Sequence, residues 1–227
     1  MTRPTLRVFA VVLGASLLAG AALAGPDSTL TLDPKGAMTI LHGYLPVQVE
    51  LSSTKPRQVK KEPAYLGTPQ YGIIHLGNGP RRDYVVVLDE PANGDWKIYI
   101  DKNQDGDLTE NGDGAWNKKT VRGDRAIYGP MDLTLRASYG SHRHETSSAD
   151  YTIGLYRISG ASLFIFRQSA RVGEVEIDGK THKAVLAEND CDALFDKKAR
   201  SYKDAQKSRP VWLKVDLKDE EFVFAKG

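Results

Sequence analysis

Short runs of alternating or continuous apolar residues, separated by turn-forming residues, extend along most of the chain. VQVEL at 47–51 alternates strictly, and Trp96, Ile98 and Ile100 share one side of the stretch 96–100. Residues 71–76 and 84–88 are short β-branched runs, and similar runs recur at 133–135, 151–158, 163–166, 175–177, 183–186, 211–217 and 222–224. A period of two sends successive side chains to opposite faces of a strand, and Val, Ile, Tyr and Phe pack well on a pleated surface. Asn93-Gly94 and Asp178-Gly179 are hairpin signals, because both residue types tolerate positive φ. Only FDKKARSYKDAQKS, residues 195–208, favours helix by composition, and it lacks an apolar stripe to bury. The pattern predicts an all-β protein, either a sandwich or two packed antiparallel β-units.

The chain also echoes itself. VVVLDEPANGDWKIYIDKNQDGDL, residues 85–108, runs strand, turn, strand and acidic loop, and VEIDGKTHKAVLAENDCDALFD, residues 175–196, repeats that order. The echo pairs Asp101 with Glu188, Asn103 with Asp190, Asp105 with Asp192, Gly106 with Ala193 and Leu108 with Phe195. It suggests an internal duplication, with one β-unit over 25–140 and a second over 141–227.

The first acidic loop carries the strongest chemistry. Asp101, Asn103 and Asp105 occupy alternate positions, Gly106 permits a sharp turn, and Asp107, Thr109, Glu110 and Asp113 follow. Calcium takes six to eight oxygen ligands, and a short loop supplies several when alternate side chains converge. Asp107 would offer its backbone carbonyl, Thr109 would act directly or through water, and Leu108 would anchor the loop inward. Five carboxylates lie within thirteen residues, offset only by Lys102, so the loop repels itself unless a cation neutralises it.

DKNQDGDLT resembles the first nine positions of an EF-hand-type calcium loop and is similar to dockerin and thrombospondin type 3 loops. The resemblance covers about a dozen residues and implies a calcium site, with magnesium disfavoured because it keeps its waters. It departs from that pattern at its twelfth position, which is Gly112, so Glu110 or Asp113 must supply the missing carboxylate. A strand enters the loop, and TENGDGAWN does not continue as a helix. Such a loop braces a β-scaffold; it does not open like the helix pair of a calcium sensor. The second loop keeps Glu188, Asp190, Asp192 and Asp196 but has Ala193 for the glycine, and reads as a degenerate copy.

Composition narrows the rest. Arg3 and Arg7 precede an apolar run at 8–24 that ends in Ala22-Leu23-Ala24, the layout of a cleaved signal peptide over 1–24. Export to a periplasmic or extracellular space follows, with no membrane span after cleavage. Cleavage removes two arginines and no acid, leaving twenty-nine basic residues against twenty-nine acidic ones. A neutral chain argues against nucleic acid, since phosphate binding needs excess positive charge; Lys55, Arg57, Lys60 and Lys61 form the one basic cluster. Cys191 is the only cysteine, so no intrachain disulfide holds the fold.

Nucleophile-elbow and phosphate-loop motifs are absent. His142 and His144 can face one way on a strand and, with the Glu145 carboxylate, hold zinc, but a third ligand must converge on the two histidines. The sequence therefore points to a non-enzymatic calcium-binding β-protein. An alternative is a glycan- or protein-binding module with a calcium-shaped surface, favoured if Trp116, Tyr128 and Tyr139 were exposed around the loop. A metal- or carboxylate-dependent hydrolase is the third reading.

Overall fold

The computed structural model describes residues 30–39, 46–159, 162–177, 179–197, 211–215 and 222–224. The signal-like residues 1–24 and most of the helix-favouring stretch, 198–208, lie outside them. The described residues form an all-β fold of three antiparallel sheets, whose only helical elements are two 3-10 turns. No helix among them is long and apolar enough to cross a membrane.

Five strands form the sheet around the longest hairpin: β2 (Val47–Val49), β9 (Leu163–Arg167), β8 (His144–Ile158), β7 (Arg125–Ser141) and β6 (Lys119–Arg122), in that order. A second sheet has the order β1 (Thr31–Asp33), β10 (Ala170–Ile177), β11 (Lys180–Ala187), β12 (Trp212–Val215) and β13 (Phe222–Phe224). The third joins β3 (Gln70–His75), β4 (Asp83–Asp89) and β5 (Lys97–Ile100). Segments 25–140 and 141–227 both contribute to the first two sheets: β1 pairs with β10, β2 with β9, and β7 with β8.

The apolar runs read from the sequence become strands, but β7 and β8 extend well past their apolar centres. The polar pairs Arg136↔Asp150 and Ser138↔Ser148 continue the ladder on the strength of backbone hydrogen bonds. Ile177 pairs with Lys180 across a two-residue connection, with Gly179 at φ +71°, as the Asp-Gly signal requires.

β4 explains the placement of the acidic loop. Its run DYVVVLD is buried almost throughout because both its faces are covered. Tyr84, Val86 and Leu88 join the main core with Ile98, Ile100, Leu133, Leu135, Ile153 and Leu155. Val85 and Val87 face a second cluster of Val59, Tyr71, Tyr99 and Leu108. Leu108 is fully buried there, and it follows directly on the acidic loop.

Candidate metal-binding loop

The loop is seated on β4 before any ligand is considered. The Asp101 amide donates to the Val85 carbonyl at 3.0 Å, and Gln104 Nε2 donates to the carbonyls of Arg81 and Asp83 at 3.1 and 3.0 Å. Residues 58–61 lie across its other side. The amides of Lys60 and Lys61 donate to the Gly106 carbonyl at 2.9 and 3.1 Å, and that of Leu108 donates to the Lys61 carbonyl at 3.0 Å. Gly106 sits at φ +86°, where a Cβ would stand 2.3 Å from the Gln58 carbonyl oxygen. Only glycine fits this close crossing.

Within this frame the side chains turn toward one another. Asp101 is 3% exposed; its Oδ2 accepts from the Gly106 amide at 3.0 Å, while Oδ1 is buried with no hydrogen-bond partner. Asn103 Nδ2 donates to Asp105 Oδ2 at 2.9 Å and to Glu110 Oε2 at 3.1 Å. Asp105 Oδ1 accepts the Asp107 amide at 2.7 Å. Asp107 caps the 3-10 turn Leu108–Asn111, accepting the Thr109 amide at 2.8 Å and the Thr109 hydroxyl at 2.5 Å. Lys61 Nζ reaches Asp107 Oδ2 at 2.9 Å, and Lys60 Nζ reaches the Asp105 carbonyl at 2.7 Å. The bonds from Lys61 and Thr109 hold the Asp107 carboxyl down to about 2.

The structure thus joins Asp101, Asn103, Asp105, Asp107, Thr109 and Glu110 in one hydrogen-bonded loop. Asp113 stands apart: its Oδ1 accepts the Ala115 amide at 3.0 Å and its carbonyl accepts Lys97 Nζ at 2.7 Å. Among the described residues, no three His, Cys, Asp or Glu side chains are grouped as a ready-made metal cage. The Asn103 amide and Lys61 partner the loop's carboxylates, while Lys60 holds the Asp105 carbonyl. A shallow concavity of about 340 Å³ is lined by Ile100, Lys102, Asn103, Asp107 and Glu110. The donor set is hard oxygen, as calcium requires, and turning the Asn103 amide would present its Oδ1 in place of Nδ2.

The second acidic loop follows β11. Glu188 is fully buried, with Oε2 accepting the amides of Asp190 and Cys191 at 2.6 and 2.7 Å and Oε1 bonded to the Tyr151 hydroxyl. Burial pushes its carboxyl up to about 7, against the pull of the Tyr151 hydrogen bond. Nothing in the sequence marks Glu188 as buried beyond its place at the end of an apolar strand.

The other candidates separate. His142 and His144 are exposed at the β7–β8 turn, while Glu145 accepts from Ser138 Oγ at 2.6 Å and from Arg81 at 3.1 Å. Tyr139 donates to the Ala193 carbonyl at 3.2 Å, at the second loop. Tyr128 is buried, with Trp96 stacked on it at 4.9 Å and Trp116 tilted beside it at 6.0 Å. Trp96, Trp116 and Tyr128 line a cleft of about 210 Å³ with Asp95, Lys97, Asp113 and Lys119.

Comparison of the chain with protein-family models, curated proteins and solved structures found no match.

Proposed function

We propose that the protein is an exported, non-enzymatic β-protein in which calcium, held by residues 101–110, braces the loop between β5 and the rest of the scaffold. The observation that carries this reading is the buried, unpartnered Oδ1 of Asp101. A buried carboxylate oxygen without a donor costs a few kcal/mol, and a cation beside it removes that cost. Asp101, Asn103, Asp105 and Glu110 would supply side-chain oxygens, with the Asp107 carbonyl and Thr109 completing the set. Calcium supplies charge neutralisation and ties together backbone positions that are already seated on β4 and residues 58–61. The N-terminal layout of residues 1–24 supports export to a periplasmic or extracellular space, where calcium at sub-millimolar to millimolar levels suits such a site. Isothermal titration with calcium tests it: the protein takes one ion, and Asp101→Asn takes none. Equal binding by both, or none by either, contradicts the assignment.

A second reading, that the surface beside the loop binds a glycan, is favoured by one arrangement. Lys119, Tyr128 and Arg157 form a cross-strand row over β6, β7 and β8. Trp96 stacks on Tyr128, and the Arg157 guanidinium lies 5.4 Å from the Trp96 ring centroid. Glu90 fixes Arg157 through a bidentate ion pair at 2.6 and 3.1 Å, so the indole is held rigidly at the edge of a cleft. Two carboxylates and two ammonium groups in the lining balance in charge, which suits a neutral sugar. Titration with neutral oligosaccharides should then change tryptophan fluorescence and fail to do so in Trp116→Ala; an unchanged spectrum contradicts this reading.

A further inference from the structure

Offset by eighty-seven residues, the second acidic loop repeats the first in geometry. Gln104 and Cys191 both take positive φ, +60° and +57°, and so do Gly106 and Ala193, +86° and +63°. Asp105 and Asp192 each accept the amide two residues on, at 2.7 and 2.8 Å. Asp101 and Glu188 are both buried, and each turns one carboxylate oxygen to its own loop's backbone, Asp101 to the Gly106 amide and Glu188 to the amides of Asp190 and Cys191. Leu108 and Phe195 both bury behind their loops.

The correspondence breaks at several positions, among them Asp107, which falls on Leu194, and Thr109, which falls on Asp196; two of the breaks are coupled. Where the first loop has Asn103 and Glu110, the second has Asp190 and Lys197. In the first loop an amide donates to the Glu110 carboxylate at 3.1 Å. In the second the charge is reversed end for end: the Lys197 ammonium donates to Asp190 Oδ2. Burial works against that ammonium, yet the hydrogen bond to Asp190 and the charges of Asp190, Asp192 and Asp196 outweigh it and raise its pKa. Lys197 is also anchored through its backbone, whose carbonyl accepts the Val211 amide at 3.0 Å.

We propose that Lys197 is the resident cation of the second loop, its ammonium filling the place that calcium takes in the first, so that this loop admits no added cation while Lys197 is present. An ammonium offers three donors and one charge, fixed to the chain and independent of ion concentration. The fold thereby carries one loop whose bracing depends on ions and one whose bracing is covalently supplied. The comparison with calcium rests on the reading of the first loop given above; the role of Lys197 does not.

Replacing Lys197 tests this. Lys197→Glu restores the residue found at Glu110, and Lys197→Gln removes the charge while offering a side-chain oxygen. Calcium titration of the purified protein should show one site in the wild type, two in Lys197→Glu, and a second, weaker one in Lys197→Gln. No site in the wild type but one in Lys197→Glu would sink the first-loop assignment and leave this one standing. Two sites in the wild type overturn it, because the second loop is then open despite Lys197. An unchanged count in both folded variants overturns it too. So does failure of both variants to fold at any calcium concentration, since an added cation should replace the lost ammonium.

Discussion

Gly106 and Ala193 hold the same left-handed backbone at matching places in two loops eighty-seven residues apart, with φ of +86° and +63°. Glycine adopts this conformation freely, whereas alanine there carries strain of roughly 1–2 kcal/mol. Ala193 is nevertheless buried in the main core, where its methyl group contributes about 0.8 kcal/mol. The two effects oppose each other. Ala193→Gly should therefore cost at least about 1 kcal/mol less than Ala137→Gly, an equally buried alanine in β7 with no positive φ. Denaturant unfolding of the two variants measures the difference, and equal losses would refute the strain at Ala193.

Gly106 is less forgiving. A Cβ at this position meets the Gln58 carbonyl oxygen, a backbone atom fixed by the crossing of residues 58–61. Gly106→Ala should destabilise the protein by more than about 2 kcal/mol and abolish calcium binding as well. Thermal unfolding and titration of the same preparation read both effects.

Glu110 and Asp113 are distinguished by their partners. Glu110 is tied to Asn103 within the loop, while Asp113 turns to the Ala115 amide and the aromatic cleft. Glu110→Gln should weaken calcium binding at least about tenfold, equivalent to about 1.4 kcal/mol, and Asp113→Asn should leave it nearly unchanged. The opposite ranking by isothermal titration would move the missing ligand to Asp113.

Glu188 makes stability depend on pH. Its carboxyl is raised from 4.5 to about 7 in the folded protein, so the folded state binds the proton more tightly than the unfolded chain. This contribution is fully present below about pH 4.5 and is lost as pH rises through about 7. The groups facing it are Tyr151, Tyr139, Asp192, Arg167 and Cys191. Subtracting the unfolding free energies of Glu188→Gln from those of the wild type removes the background they share. The difference should fall across this window and be flat above it; a flat difference throughout would rule out the shift.

The strands and the first loop were legible because their signals are local. VVVL announces a strand, and DKNQDGDL places alternate oxygens, a permissive glycine and a buried leucine within eight residues. What stayed hidden depends on distant residues. Lys61 reaches Asp107 from forty-six positions away, and the residue that crosses Gly106 is Gln58. The ladder of β7 and β8 runs through serines and charged residues because backbone bonds, not side-chain pattern, continue it. The echo aligned Ala193 with Gly106, but an alanine there gave no sign that the left-handed turn is kept. Tyr139 did not join Trp116 and Tyr128 beside the first loop, because its hydroxyl donates to the Ala193 carbonyl.

The most direct measurement is the thermal unfolding midpoint of the wild type and of Asp101→Asn, each with saturating calcium and with a chelator. With calcium at a hundred times its dissociation constant, the wild type should gain about 2–3 kcal/mol, raising the midpoint by about 5–10 °C. Asp101→Asn should respond to neither addition, and its midpoint with chelator should match or exceed that of chelated wild type, because the buried charge has gone. A wild-type midpoint indifferent to calcium, or an equal rise in Asp101→Asn, would contradict the calcium-braced loop.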